Sequence, residues 1–128
     1  MIGFTFTKSI ELTYEDLSDI LCACIEGGSN YWAQIQNYGP EWDEAEDGLP
    51  EDCTIEDHIM NLWSKGHALH IVDLEEDEEH EICFADFIDA IQSVIDDCTW
   101  SGDDVYDVDG KIGDRIMQYA TFGEVIYG

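Results

Sequence analysis

Hydrophobic positions change their spacing several times along the chain, and each change marks an element. Ile2, Phe4 and Phe6 alternate with small or polar residues, which predicts a strand over residues 2–7. Thr13 stands where a helix N-cap belongs, and Asp16 follows three positions later, at the positive end of the helix dipole. Behind that cap Tyr14, Leu17, Ile20, Leu21, Cys24 and Ile25 keep helical spacing, while Glu15, Asp16, Asp19 and Glu26 fall mostly on the other side. Gly27-Gly28 stops this helix, because a glycine past a helix end turns left-handed without a Cβ clash. Asn30 to Tyr38 then reads as a central strand with Trp32 and Ile35 in the core.

Gly39-Pro40 breaks the pattern and opens a long acidic loop over residues 41–52, flanked by the chain's two prolines, Pro40 and Pro50. Thr54 caps a short helix with Ile55, Ile59, Leu62 and Trp63 on its apolar face, closed by Gly66. Residues 67–74 alternate as a strand, with Leu69, Ile71 and Asp73 on one side and Ala68, His70, Val72 and Leu74 on the other. Residues 75–79 form a solvated turn, and 80–84 return as the second arm of a hairpin. Ala85 to Cys98 is helical, with Phe87, Ile88, Ile91, Val94 and Ile95 inward. Trp100 to Asp109 is a second acidic loop, Ile112 to Tyr119 a short helix, and Phe122 to Gly128 a terminal strand. The expected fold is a single α+β domain, a mainly antiparallel sheet of about five strands with helices packed on one face.

Charge alters this ordinary picture. Thirty-one Asp and Glu face four Lys and Arg (Lys8, Lys65, Lys111 and Arg115), giving a net charge of −27. With 45% hydrophobic residues the chain still has material for a core, so the acidity does not make it a disordered tail. Direct nucleic-acid binding is not expected, since phosphates are repelled, and an anionic membrane is disfavoured on the same ground. No apolar run is long enough for a membrane span, and the N-terminus lacks the pattern of a signal peptide. A basic protein surface or a metal ion is the natural counterpart of such charge. Five cysteines at 22, 24, 53, 83 and 98 read as reduced, small core residues, Cys83 and Cys98 in apolar surroundings.

Four candidate sites follow. Asp107-Val108-Asp109-Gly110-Lys111-Ile112 looks like the middle of a calcium-binding EF-hand, but alignment on Gly110 puts Val105 first and Ile116 twelfth, so both essential acids are missing. Carboxylates are too numerous for any pair to signal catalysis. His67 and His70 read as lying on opposite strand faces, and no nucleophile motif, phosphate loop or zinc-protease pattern occurs. Neither an enzyme nor a cofactor is expected. The corner Asn30, Tyr31 and Trp32 behind Gly27-Gly28 offers an amide and two rings to a small ligand, or else a helix cap followed by core aromatics. The fourth candidate is the acidic surface itself. Glu41, Asp43, Glu44, Glu46, Asp47, Glu51 and Asp52, then Glu75, Glu76, Asp77, Glu78 and Glu79, then Asp103, Asp104 and Asp107, present carboxylates at spacings comparable to phosphates along DNA. Trp42 and Trp100, aromatics inside acidic loops, are the expected hot spots. A plain solvated face, or the lysine-poor acidity of a halophile's proteins, is the competing explanation.

Glu26-Gly27-Gly28-Ser29-Asn30-Tyr31-Trp32 after an amphipathic helix, together with the closing Phe122-Gly123-Glu124-Val125-Ile126-Tyr127-Gly128, resembles a family of short proteins from phages, plasmids and other mobile elements. The resemblance implies a mobile-element origin and a place in the cytoplasm of a bacterial host. Small acidic proteins of such elements often block host defence by occupying nucleic-acid sites. By that analogy the expected partner is a basic nucleic-acid-binding protein: a CRISPR effector complex first, then a restriction enzyme or other nuclease. The alternative expectation is a protein that sequesters a nucleotide signal at the corner formed by residues 27–32.

Overall fold

The computed structural model describes residues 3, 4 and 9–128, so the strand expected over residues 2–7 lies mainly outside the described residues. The first helix, α1 (Tyr14–Ala23), begins with a full capping box: Asp16 N–H donates to Thr13 Oγ1, and Thr13 N–H donates to the Asp16 carboxylate. It runs into a wider π turn over Cys24–Gly28, which breaks at Glu26 (φ −86°, ψ 59°) and Gly27 (φ 118°). The glycine stop thus acts as the sequence suggests, by taking a backbone conformation other residues avoid. Thr54 and Asp57 cap α3 (Ile55–Ser64) in the same reciprocal way.

The sheet has three antiparallel strands among the described residues, not about five. They are β1 (Ala33–Ile35), β2 (Leu69–Asp73) and β3 (Glu78–Ile82), in the order β1-β2-β3. Ile35 pairs with Ile71, and Leu69 with Ile82. Leu69, Ile71 and Asp73 are buried, as the alternation predicted. The central strand expected over Asn30 to Tyr38 is shortened to β1 because residues 29–32 form a turn: Trp32 and Ala33 donate their N–H groups to the Ser29 carbonyl. The terminal strand is absent. The last helix, α5 (Gly110–Phe122), outruns its expected span and ends on left-handed Gly123 (φ 76°). The Gln118 side-chain oxygen then accepts from Ile126 N–H and Tyr127 N–H, each at 2.8 Å, supplying bonds that a neighbouring strand would have given.

The acidic stretch 41–52 is not one long loop. Pro40 occupies the first turn of a short helix, α2 (Pro40–Glu44), where its missing N–H costs nothing. His58 Nε2 donates to the Trp42 carbonyl at 2.7 Å, Asn61 donates to the Ala45 carbonyl at 2.6 Å, and the Trp42 and His58 rings stack. Helix α4 (Phe84–Asp96) buries Phe87, Ala90, Ile91 and Val94, while Ile88 is exposed rather than inward. A 3₁₀ turn (Val105–Asp107) interrupts the second acidic loop. One core joins these elements, with all four tryptophans in it. Cys83 and Cys98, expected in apolar surroundings, are exposed. Among the described residues no helix is long and apolar enough to cross a membrane.

Candidate functional site

The fifteen carboxylates singled out in the three acidic segments are all exposed. Their settings differ. On α2, Glu41 lies 3.8 Å from both His67 and His70, Glu44 lies 3.3 Å from His67, and Glu81 of β3 approaches His70 at 3.7 Å. The opposite-face reading of the two histidines is therefore corrected: His67 precedes β2, and both rings reach one carboxylate. Glu46, Asp47, Glu51 and Asp52 follow on the turns between α2 and α3. Glu75, Glu76 and Asp77 form the tip of the β2–β3 hairpin, with Asp77 left-handed (φ 54°), whereas Glu78 and Glu79 belong to β3 itself. A row of glutamates on this edge strand also discourages sheet-to-sheet association. In the third segment Asp104 caps the 3₁₀ turn through Tyr106 N–H, and Asp109 caps α5 through Ile112 N–H.

Trp42 and Trp100 are not surface hot spots. They are 9% and 3% exposed, and Trp100 Nε1 donates to the Asp104 carbonyl. The ring that the acidic surface does present is Tyr106, 92% exposed between Val105 and Asp107, and Tyr38 stands exposed just before α2. A tryptophan offers a partner the larger ring, but its size also draws it into a core.

The corner of residues 27–32 is organised by a residue the sequence reading did not single out. Asp114 on α5 accepts from Trp32 Nε1 (2.7 Å) and Ser29 Oγ (3.2 Å) on one oxygen, and from Tyr31 OH (2.6 Å) and Gln118 Nε2 (3.1 Å) on the other. Burial, and after it the bond to Asp114, pushes the Tyr31 phenol up to about 12. Gln118, fully buried, also donates to the Tyr127 carbonyl, and Tyr127 OH donates to buried Asp73 at 2.7 Å. Segments 26–32 and 122–128 thus meet on one face of α5. Trp32 is fully buried and holds Asp114, so it offers no ring to a ligand, whereas Asn30 and half of Tyr31 remain exposed.

Beside this cluster runs a groove of about 660 Å³ whose wall includes Gly28, Tyr31, Lys111, Asp114, Arg115 and Gln118. Arg115 Nη2 is bound to Asp97 at 2.9 Å, while its Nε is buried without a partner. Asp97 also accepts from Tyr119 OH and from Thr99. Burial raises the Asp97 carboxyl, but the bonds from Thr99, Tyr119 and Arg115 outweigh it and hold Asp97 well below the usual carboxylate range. Among the described residues this is the one ion pair between a carboxylate and a lysine or arginine side chain. The chain matches no protein-family model, no curated protein and no solved structure.

Proposed function

We propose that the protein is a non-enzymatic, acidic inhibitor that binds a basic, nucleic-acid-binding protein through its carboxylate surface. One observation carries this reading: a net charge of −27 borne by a folded domain whose three acidic segments are exposed at every carboxylate. Such a surface offers a Lys- and Arg-lined channel what phosphates offer it. The field speeds encounter and salt weakens the complex. Tyr106, exposed between Asp104 and Asp107 in the third acidic segment, is the favoured contact there, because arginine both pairs with carboxylates and stacks on aromatics. The resemblance to mobile-element proteins makes a host defence nuclease the partner class, a CRISPR effector complex ahead of a restriction enzyme.

The test is capture on immobilised protein from lysate of a bacterial host. A basic nucleic-acid-binding protein, retained at low salt, released by high salt and displaced by DNA or RNA, is the expected result. Retention of nothing, or of a protein indifferent to nucleic acid, overturns the reading.

A second reading rests on the groove beside Tyr31. Two of the chain's four cationic residues, Lys111 and Arg115, line it, and Lys111 is exposed with no carboxylate paired to it among the described residues. A small anionic ligand such as a nucleotide signal fits that chemistry. Thermal unfolding with a nucleotide panel decides it, since a ligand that binds only the folded state raises Tm.

A further inference from the structure

Most carboxylates of this protein face water, where an anion costs little, but Glu56 does not. It stands in the first turn of α3, is 7% exposed, and its Oε2 is buried with no hydrogen-bond partner. The free N–H groups of the helix start ease its charge, yet Oε2 itself receives no donor. Its neighbours are two further electron-pair donors, Cys22 of α1 and Glu26 of the π turn. One ligand atom from each of the three residues lies within 4.8 Å of the other two. Among the described residues, no lysine, arginine or histidine is paired with any of them.

The backbone brings these groups together. Cys22 and Glu26 are four positions apart, at the junction where α1 widens into its π turn, and such turns recur at functional sites. Three groups that repel one another when ionised gain from a shared cation.

We propose that Cys22, Glu26 and Glu56 form a binding site for a divalent transition-metal cation of the zinc(II) class. A thiolate with two carboxylates favours a borderline-soft ion over magnesium or calcium, which take oxygen alone. Three protein ligands leave one tetrahedral position for water. Donors around such an ion, at about 2.0–2.3 Å from it, stand about 3.5 Å apart, so rotation of the exposed Glu26 side chain and of Cys22 closes the set. On binding, the Cys22 S–H bond breaks, an S–metal bond forms and the proton passes to solvent. The ion ties the end of α1 to the start of α3, and the site is independent of the acidic-surface reading.

Cobalt(II) titrated into the full, reduced protein is the probe. The expected result is a thiolate-to-cobalt charge-transfer band that saturates at one equivalent and disappears on adding zinc(II). Carboxylates on the acidic surface bind cobalt without giving such a band. Cys22→Ser abolishes the band, whereas Cys53→Ser, Cys83→Ser and Cys98→Ser keep it. Glu56→Gln weakens cobalt affinity at least as much as the roughly 10–100-fold typical of losing an outer-shell partner. If circular dichroism shows that Cys22→Ser is unfolded, Glu26→Gln takes its place, since Glu26 is exposed and its loss must lower affinity in the same way. No band in the native protein, a band that survives Cys22→Ser, or unchanged affinity in folded Glu26→Gln overturns the site.

Discussion

Asp114 shows what one side chain settles in this protein. Four donors converge on it, and one of them, Trp32 Nε1, belongs to a fully buried ring. Asp114→Ala leaves that indole N–H in the core without an acceptor. The expected loss is about 3 kcal/mol of unfolding free energy, measured by urea denaturation. Asp114→Asn keeps one acceptor oxygen and falls between. Nothing local in the sequence marks Asp114, because one carboxylate among thirty-one carries no signal. Only its place after Gly110 and Gly113 hints at a close approach. Asp97 makes a titratable prediction. Its folded-state pKa is depressed, so its contribution is present above the unfolded value of about 3.9 and is lost as pH falls through the lower folded value. The Tm difference between the native protein and Asp97→Asn is therefore full near neutral pH and shrinks below about pH 4. A difference that stays constant on acidification assigns Asp97 a packing role instead.

Among the elements, the caps and periods were legible and the joins were not. Thr13 with Asp16, and Thr54 with Asp57, announce α1 and α3 because a capping box is written within four residues. The end of the chain misled because Val125, Ile126 and Tyr127 are strand-favouring residues, while the Gln118 side chain, on the adjoining helix, satisfies the backbone in place of a neighbouring strand. The join between α5 and the π turn rests on absent side chains. A Cβ on Gly113 would sit 2.6 Å from the Ala23 carbonyl oxygen, and one on Gly28 would sit 2.6 Å from the Gly110 carbonyl oxygen. Both obstacles are backbone and cannot swing aside. Helix propensity alone predicts that Gly113→Ala stabilises by about 1 kcal/mol. The contact predicts the opposite, a net loss of about 1–3 kcal/mol from overpacking. Denaturant midpoints decide the sign. A stabilised Gly113→Ala means that α5 stands farther from the π turn than this packing requires.

Across the whole molecule, charge makes the fold and the proposed complex respond to salt in opposite directions. Thirty-one acidic side chains with four basic ones leave net repulsion in the compact state. Added sodium chloride shortens the screening length from about 10 Å at 0.1 M to about 3 Å at 1 M, so Tm rises with salt. The same screening weakens a complex held by carboxylates against lysine and arginine. Acidity that serves solvation alone gives the first response without the second. Reversal of the hairpin carboxylates separates the two within one salt condition. Glu75, Glu76, Glu78 and Glu79 are exposed, and lysine suits an edge strand as well as glutamate does. Converting all four to lysine relieves repulsion, so at low salt Tm rises, while affinity for a basic partner falls. Calorimetry of the variant and its capture of that partner measure both. If affinity is unchanged while Tm rises, the contact surface lies on the other acidic segments, with Tyr106 and Asp107 the next to alter. If Tm falls, the hairpin carboxylates are held by contacts that their exposure conceals, and the repulsion argument fails at the segment where the carboxylates crowd most closely in sequence.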